Sequence, residues 1–303
     1  VKKVLVTGGA GFVGTALIKK LLRKYKDIEI VSIDNYSSGN KSNHSKSKRV
    51  TYLTKDTMDL VAKKFDLNNT KMDLADAFEP EVVFHFGEFS RIVTSFDKFD
   101  ICWDYNMNGT RKVLDYCVAK KAKLIYSASS SKFGNDGKDE NLSPYAWMKA
   151  KMVELIKNYS EWFDLKYEIT YFYNAYGPGQ IRTGDYATVL GIFEEQFENG
   201  EPLTVVTPGE QTRDFTHVND IVNGVILSAE RGRGAEYPLG TGMPHKIVDV
   251  AKMFGDNYTM IPERRGERFY GKAIPSLTYQ HLGWQASIKL EDYIANIVAK
   301  KDS

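Results

Sequence analysis

Two rhythms of apolar residues alternate along the first half of the chain. Short apolar runs read as strands: Val4-Leu5-Val6-Thr7, Ile28-Glu29-Ile30-Val31-Ser32-Ile33, Val50-Thr51-Tyr52-Leu53, Glu81-Val82-Val83-Phe84-His85-Phe86-Gly87 and Lys123-Leu124-Ile125-Tyr126-Ser127. Between them, apolar positions recur at helical spacing. Residues 12–25 carry Val13, Ala16, Leu17, Leu21 and Leu22 with lysines between, and residues 92–121 end on Val113, Leu114, Cys117 and Val118. The spacing predicts a helix over each stretch. Strands alternating with helices predict an α/β fold with a parallel, doubly wound sheet covered on both faces.

The first strand runs into Gly8-Gly9-Ala10-Gly11-Phe12-Val13-Gly14. Gly8 suits a turn that a Cβ would forbid, Gly11 a close approach to a pyrophosphate, and Gly14 tight packing of helix on strand. The helix start offers free N–H groups to phosphate. A plain strand–turn–helix connection also uses glycine, but the second strand ends at Asp34, the separation at which an acid binds the adenosine ribose hydroxyls. An acid there repels a 2′-phosphate, so NAD is expected over NADP. The basic run from Lys41 to Arg49 reads as a solvated loop or as a phosphate clamp. Asp56 suits either an adenine amino group or a helix cap. His85, on an apolar strand, reads as a packed core histidine rather than a base.

The fifth strand ends in Ser127-Ala128-Ser129-Ser130-Ser131-Lys132-Phe133-Gly134. Ligands sit beyond the carboxyl ends of strands in such sheets, so a serine here points at a site, although loop hydroxyls also bond the backbone. Next comes Ser143-Pro144-Tyr145-Ala146-Trp147-Met148-Lys149. Ser143 suits an N-cap and Pro144 the first helical position. Tyr145 and Lys149 then share a helix face. A phenol ionises near pH 10, and an adjacent ammonium together with a helix N-terminus favours the phenolate. The pair therefore reads as a general base.

Bulk properties add limits. The 303 residues allow one large domain or two intimate ones. Hydrophobic content of 42%, charged content of 26% and a net charge of +2 are those of an ordinary soluble protein, with no argument for nucleic acid or membrane binding. No apolar run approaches a membrane span and the chain enters directly into a strand, so a cytoplasmic location is expected. The two cysteines, Cys102 and Cys117, fall roughly 22 Å apart on one predicted helix, too far for a disulfide. The five histidines lack ligand spacing, so no metal is expected.

In this order, the motifs resemble those of the extended short-chain dehydrogenase/reductase family, in particular its NAD-dependent nucleotide-sugar epimerases and dehydratases, such as the UDP-hexose 4-epimerases. The resemblance covers nearly the whole chain. It includes Asn106-Met107-Asn108-Gly109-Thr110, the strand and loop Tyr171-Phe172-Tyr173-Asn174-Ala175-Tyr176-Gly177, the signature Arg213-Asp214-Phe215-Thr216-His217-Val218-Asn219-Asp220, and Pro262-Glu263-Arg264-Arg265-Gly266-Glu267. It implies a Rossmann-like cofactor domain over residues 1–175, with 213–235 returning to it, and a smaller, interleaved, mixed α/β substrate domain over 176–303. It implies that Ser129, Tyr145 and Lys149 are catalytic. Gly8, Gly11, Phe12, Val13, Asp34, Asn35, Asp56, Phe86, Gly87 and Asn106 would meet NAD, as would Tyr145 and Lys149. Glu88, Ser130, Asn174, Arg213, Arg264 and Gly271 would meet a nucleotide-diphosphate sugar. Two arginines clamping a pyrophosphate fit guanidinium chemistry. A homodimer is implied, through a four-helix bundle made by the helices ending near Lys121 and starting at Ser143; those faces also suit ordinary core.

Departures narrow the activity. Ser130 and Ser131 stand where the dehydratase branch carries Asp-Glu, and hydroxyls cannot replace an acid and a carboxylate in expelling water. Glu88 stands where the family more often has alanine, and Lys132-Phe133 replaces a common Val-Tyr. Gly271 falls where narrow epimerases carry a bulky tyrosine, so it would admit an N-acetyl group. The leading expectation is a 4-epimerase of a UDP-linked hexose acting through a 4-keto sugar. The alternatives are a C4 dehydrogenase or ketoreductase and, ranked after it, a 4,6-dehydratase of a GDP-, dTDP- or UDP-linked sugar, and a non-catalytic NAD-bound scaffold.

Overall fold

A computed structural model describes residues 1–66, 68, 70–132 and 139–301. Phe133 and Gly134 lie outside the described residues. Strands β1 (Lys3–Thr7), β2 (Glu29–Asp34), β3 (Val50–Thr54), β4 (Val82–His85), β5 (Lys123–Ser129) and β6 (Tyr167–Phe172) join the strand Glu236–Leu239 in a seven-stranded sheet. Every ladder in it is parallel. The spatial order is Glu236–Leu239, β6, β5, β4, β1, β2, β3. The chain steps outward from β1 to β3, then crosses back to lay β4 on the other side of β1. That reversal opens a crevice at the carboxyl ends of β1 and β4, where Thr7 is in register with His85.

Alternation along β1 feeds two apolar layers. Leu5 packs with Val31, Val83, Leu124, Val113, Leu114, Met152 and Ile156 on one face. Val4 and Val6 pack with Leu17, Leu21, Phe84, Ile125, Val222, Val225 and Trp284 on the other. The first layer is roofed by the helices Thr110–Lys120 and Pro144–Phe163, the second by Phe12–Lys24 and Val218–Arg231. The second layer reaches past residue 235: Tyr237 and Leu239 of the last strand, with Leu282 and Trp284, belong to it. A paired β6 edge is the physical reason, since an open strand edge is a liability. A third cluster, with Tyr176, Phe193, Val205, Phe215, Val250 and Ile294, forms a separate small core. Among the described residues no helix is long and apolar enough to cross a membrane.

Residues 92–121 do not form the single predicted helix. Short helices Thr94–Asp97 and Phe99–Trp103 lead into a π-helical segment, Asp104–Gly109, before Thr110–Lys120. Gly109 approaches Thr57 so closely that a Cβ would stand 2.3 Å from its hydroxyl, and a π-turn is how a helix absorbs such a local demand. Cys102 and Cys117 are both buried free thiols.

The 41–49 run is an ordered strap. His44 stacks on Tyr52 with ring centres 3.8 Å apart. Arg49 donates to the carbonyls of Leu22, Tyr25 and Lys26 at the carboxyl end of Phe12–Lys24.

Candidate active site

At the crevice, Gly8 has φ +69°, and a Cβ there would lie 2.8 Å from the backbone of Phe86 and Gly87. A Cβ on Gly14 would lie 2.2 Å from the Gly8 carbonyl. Turn and helix therefore close on each other only as glycines. The helix Phe12–Lys24 begins at Gly11 with no side-chain cap, so its first N–H groups are left for an anion. A second anchor lies at the end of β2. Asp34 is buried and accepts from Ala10 N at 2.9 Å and Tyr36 N at 2.8 Å. Gly8, Gly11, Phe12, Val13, Asp34, Asn35, Phe86 and Gly87 all line one cavity of about 710 Å³. An uncapped helix start, a glycine cradle and a buried acid at the strand end fit a dinucleotide.

Two expected cofactor residues take other work. Asp56 does not line the cavity: it caps the 3₁₀ turn Thr57–Asp59 by accepting from Met58 N, and it takes Asn35 Nδ2 at 2.7 Å. Asn106 is fully buried, with its amide donating to Phe89 O and accepting from Phe89 N. It braces the loop after β4 rather than meeting a ligand, because both ends of its amide are used.

The same cavity reaches the end of β5 and the start of Pro144–Phe163, where Ser129, Ser130, Ser131, Tyr145 and Lys149 line it. Ser143 caps that helix, accepting from Ala146 N at 3.1 Å, with Pro144 in the first turn. This start turns Tyr145 and Lys149 onto one buried face. Ser129 Oγ accepts from Ser131 N and lies 2.8 Å from Ser131 Oγ.

Lys149 donates to Ser127 O at 2.6 Å, lies over the Tyr126 ring at 4.6 Å, and forms an ion pair with Glu88. That pair corrects the reading of Glu88 as a sugar ligand. It lines the cavity, but its side chain is only 2% exposed and accepts from Lys149, from Thr110 Oγ1 at 2.9 Å and from Tyr126 Oη at 3.0 Å. A carboxylate with three donors has no need of a sugar hydroxyl.

His85 is buried between Thr7 Oγ1 at 2.7 Å and Thr110 Oγ1 at 2.9 Å. Thr110 donates to the Glu88 carboxylate, so it accepts from His85 Nε2–H, and Nδ1 accepts from Thr7. Burial pulls the His85 pKa down to about 4, which keeps the ring neutral. It is a core histidine.

The far end of the cavity gathers cations. Asn174, Arg213, Arg264, Glu267, Arg268 and Arg91 line it. Arg213 donates to Thr212 O at 2.9 Å and pairs with Glu267. Arg91 donates to the carbonyls of Ser90 and Tyr186. Arg268, absent from the sequence expectations, is buried and donates to Ser130 Oγ at 3.3 Å. Its only signal was its place one residue beyond the 262–267 motif. Gly271 does not line the cavity, and a Cβ there would stand 2.5 Å from Arg268 Nη2. Its small size makes room for Arg268 rather than for an N-acetyl group. Lys132 also stays out of the lining, bonded to Tyr171 Oη at 3.5 Å and paired with Glu236.

A family model described as the NAD dependent epimerase/dehydratase family matches residues 4–240. A putative UDP-glucose 4-epimerase of Methanocaldococcus jannaschii is 28% identical over 97% of each chain. Among solved structures, the UDP-N-acetylglucosamine 4-epimerase of Methanobrevibacter ruminantium is 26% identical, with a TM-score of 0.85 over 98% of this chain and 97% of that one. A Thermus thermophilus UDP-glucose 4-epimerase in complex with NAD shares the fold, with a TM-score of 0.84 over 99% of each chain at 24% identity. The chain belongs to the NAD-dependent epimerase/dehydratase family of nucleotide-sugar enzymes, and its cofactor is NAD.

Proposed function

We propose that this protein is a 4-epimerase of a nucleotide-diphosphate hexose, with a UDP-linked sugar as the first candidate. The observation that carries the reading is the continuity of one cavity from the glycine turn, past Ser129, Tyr145 and Lys149, to Arg213 and Arg264. NAD, when bound, supplies reversible hydride transfer at C4. Tyr145 removes the proton from the C4 hydroxyl and returns it. Ser129 hydrogen-bonds the same oxygen, and Lys149 holds the nicotinamide ribose. Arg213, Arg264 and Asn174 bind the diphosphate, as two guanidinium groups suit its paired oxygens. The 4-keto sugar then presents its other face. Ser130 and Ser131 support epimerisation over 4,6-dehydration, because Ser130 is bonded to Arg268 and Ser131 to Ser129, and neither offers a carboxyl group.

A homodimer belongs to the same reading. Phe99, Ile101 and Trp103 are exposed, and Trp103 stacks on Trp147 of the helix Pro144–Phe163 at 6.3 Å. Such an aromatic face suits burial against a second copy, and sedimentation as a monomer at micromolar concentration would count against it.

The test of function uses the protein as purified, without added cofactor. UDP-glucose, UDP-N-acetylglucosamine and their galacto epimers are supplied and products resolved by NMR. C4 interconversion with no net change in nicotinamide absorbance is expected, and Tyr145→Phe should slow it by roughly 10²–10⁴-fold. Net reduction of NAD would replace the epimerase with a C4 dehydrogenase. An unaltered rate in Tyr145→Phe would remove the tyrosine from the mechanism.

A further inference from the structure

The wall beside Tyr145 and Lys149 contains a polar network that the reaction above does not use. Glu88 sits just past β4, and its three donors are all side chains: Lys149, Thr110 and Tyr126. Thr110 is joined through His85 to Thr7, whose hydroxyl accepts from Gly87 N at 2.9 Å. The network thus ties the lysine to the turns at the ends of β1 and β4. Of the three N–H groups of Lys149, one goes to Glu88 and one to Ser127 O, leaving one for a ligand.

We propose that Glu88 is the counter-ion of Lys149 and a positioning residue for the Tyr145 base. It anchors the ammonium to the Thr110–Tyr126 wall and offsets its charge on the helix face that also carries Tyr145. The inference rests on the reading of Tyr145 as the base.

The sign follows from Coulomb's law. An ammonium beside a phenol favours the phenolate, and a carboxylate at the same place opposes it. The other groups facing the pair are the same in the variants compared, so a difference between those variants reports Glu88. From β4, His85 is held neutral by burial. From Phe99–Trp103, burial pushes the Cys102 thiol up to about 12. From β5, burial and then Glu88 hold the Tyr126 hydroxyl well above its ordinary range. Arg91, from the loop after β4, acts electrostatically on Tyr145 and adds positive charge. Glu88 is the acidic member of this set.

Glu88→Gln keeps the shape and the Oε1 acceptor for Thr110 and Tyr126 while removing the charge and the acceptor that faces Lys149, so a role confined to the Thr110–Tyr126 wall would leave pH behaviour unmoved. Tyr145 is isolated among 18 tyrosines by the ultraviolet phenolate difference between each holoenzyme and its Tyr145→Phe counterpart. The acidic limb of kcat/KM is followed in parallel. Both should move together to lower pH by about one unit in Glu88→Gln. A limb and a signal that stay in place, or that move to higher pH, overturn the proposal. Urea unfolding checks that the variant is folded, and Glu88→Ala replaces it with the same readouts if it is not. If Tyr145→Phe removes neither turnover nor a titrating signal, the base reading falls and the proposal falls with it. If it removes both while the Glu88 variants shift nothing, the proposal falls alone.

Discussion

Two ion pairs in this protein look alike by burial and differ in what holds them. Lys55–Asp76 has side chains 7% and 1% exposed; Lys149–Glu88 has 5% and 2%. Asp76 accepts the backbone N–H groups of Val61 at 2.9 Å and Asp73 at 3.0 Å, and closes a capping box on Leu74–Ala77. Its charge is part of how the chain turns. The Glu88 carboxylate takes its hydrogen bonds from side chains, and Lys149 lines an open cavity. Its charge can be altered without unmaking a turn. A buried carboxylate fed by backbone donors is scaffold, whereas one fed by side chains at a cavity is free to be tuned for chemistry.

The largest expected effect lies on the scaffold side. Asp76→Ala strands two N–H groups and part of the Lys55 charge, so urea unfolding should show a loss of about 3–5 kcal/mol. A loss under about 1 kcal/mol would erase the distinction between the pairs. An intermediate effect tests the neutral histidine at the end of the Glu88 network. The folded His85 pKa is depressed to about 4 from an ordinary 6.5. The unfolded chain therefore binds a proton that the native one refuses. Stability from this group is present above about pH 6.5 and is lost as pH falls toward 4, by about 3 kcal/mol in all. His85→Gln should flatten that fall in unfolding curves taken across the window. An unchanged slope would mean that the ring is charged in the native state and that the proton order from Thr7 to Glu88 runs differently. The smallest stability effect belongs to Glu88→Gln. Lys149 keeps its bond to Ser127 O and the amide keeps an acceptor for Thr110 and Tyr126, so the loss should be about 1 kcal/mol at neutral pH. A cost equal to that of Asp76→Ala would make Glu88 scaffold too.

What was legible in the sequence follows from distance along the chain. The glycine turn, Ser143-Pro144 as a helix start, and Tyr145 with Lys149 on one face are local patterns, and local dihedral and hydrogen-bond rules decide them. The Glu88–Lys149 pair spans 61 residues and the Arg268–Ser130 bond spans 138. No spacing rule announces either. Asp56 was readable only as two alternatives, because the same carboxylate chemistry serves a cap and a ligand. Gly271 opens no sugar pocket because its space is taken by Arg268, whose position depends on a loop that no periodicity describes. The π-helical stretch at Asp104–Gly109 was hidden for a related reason: Gly109 packs against Thr57, on a separate turn.

The strap residue Arg49 has an electrical consequence for the other end of the helix it clasps. Its guanidinium covers the Leu22, Tyr25 and Lys26 carbonyls, so the negative pole of Phe12–Lys24 is answered from within the protein. The positive pole, uncapped at Gly11, is left bare. The helix thus behaves as a battery with one terminal already grounded, and an anion arriving at the other terminal meets the remaining field.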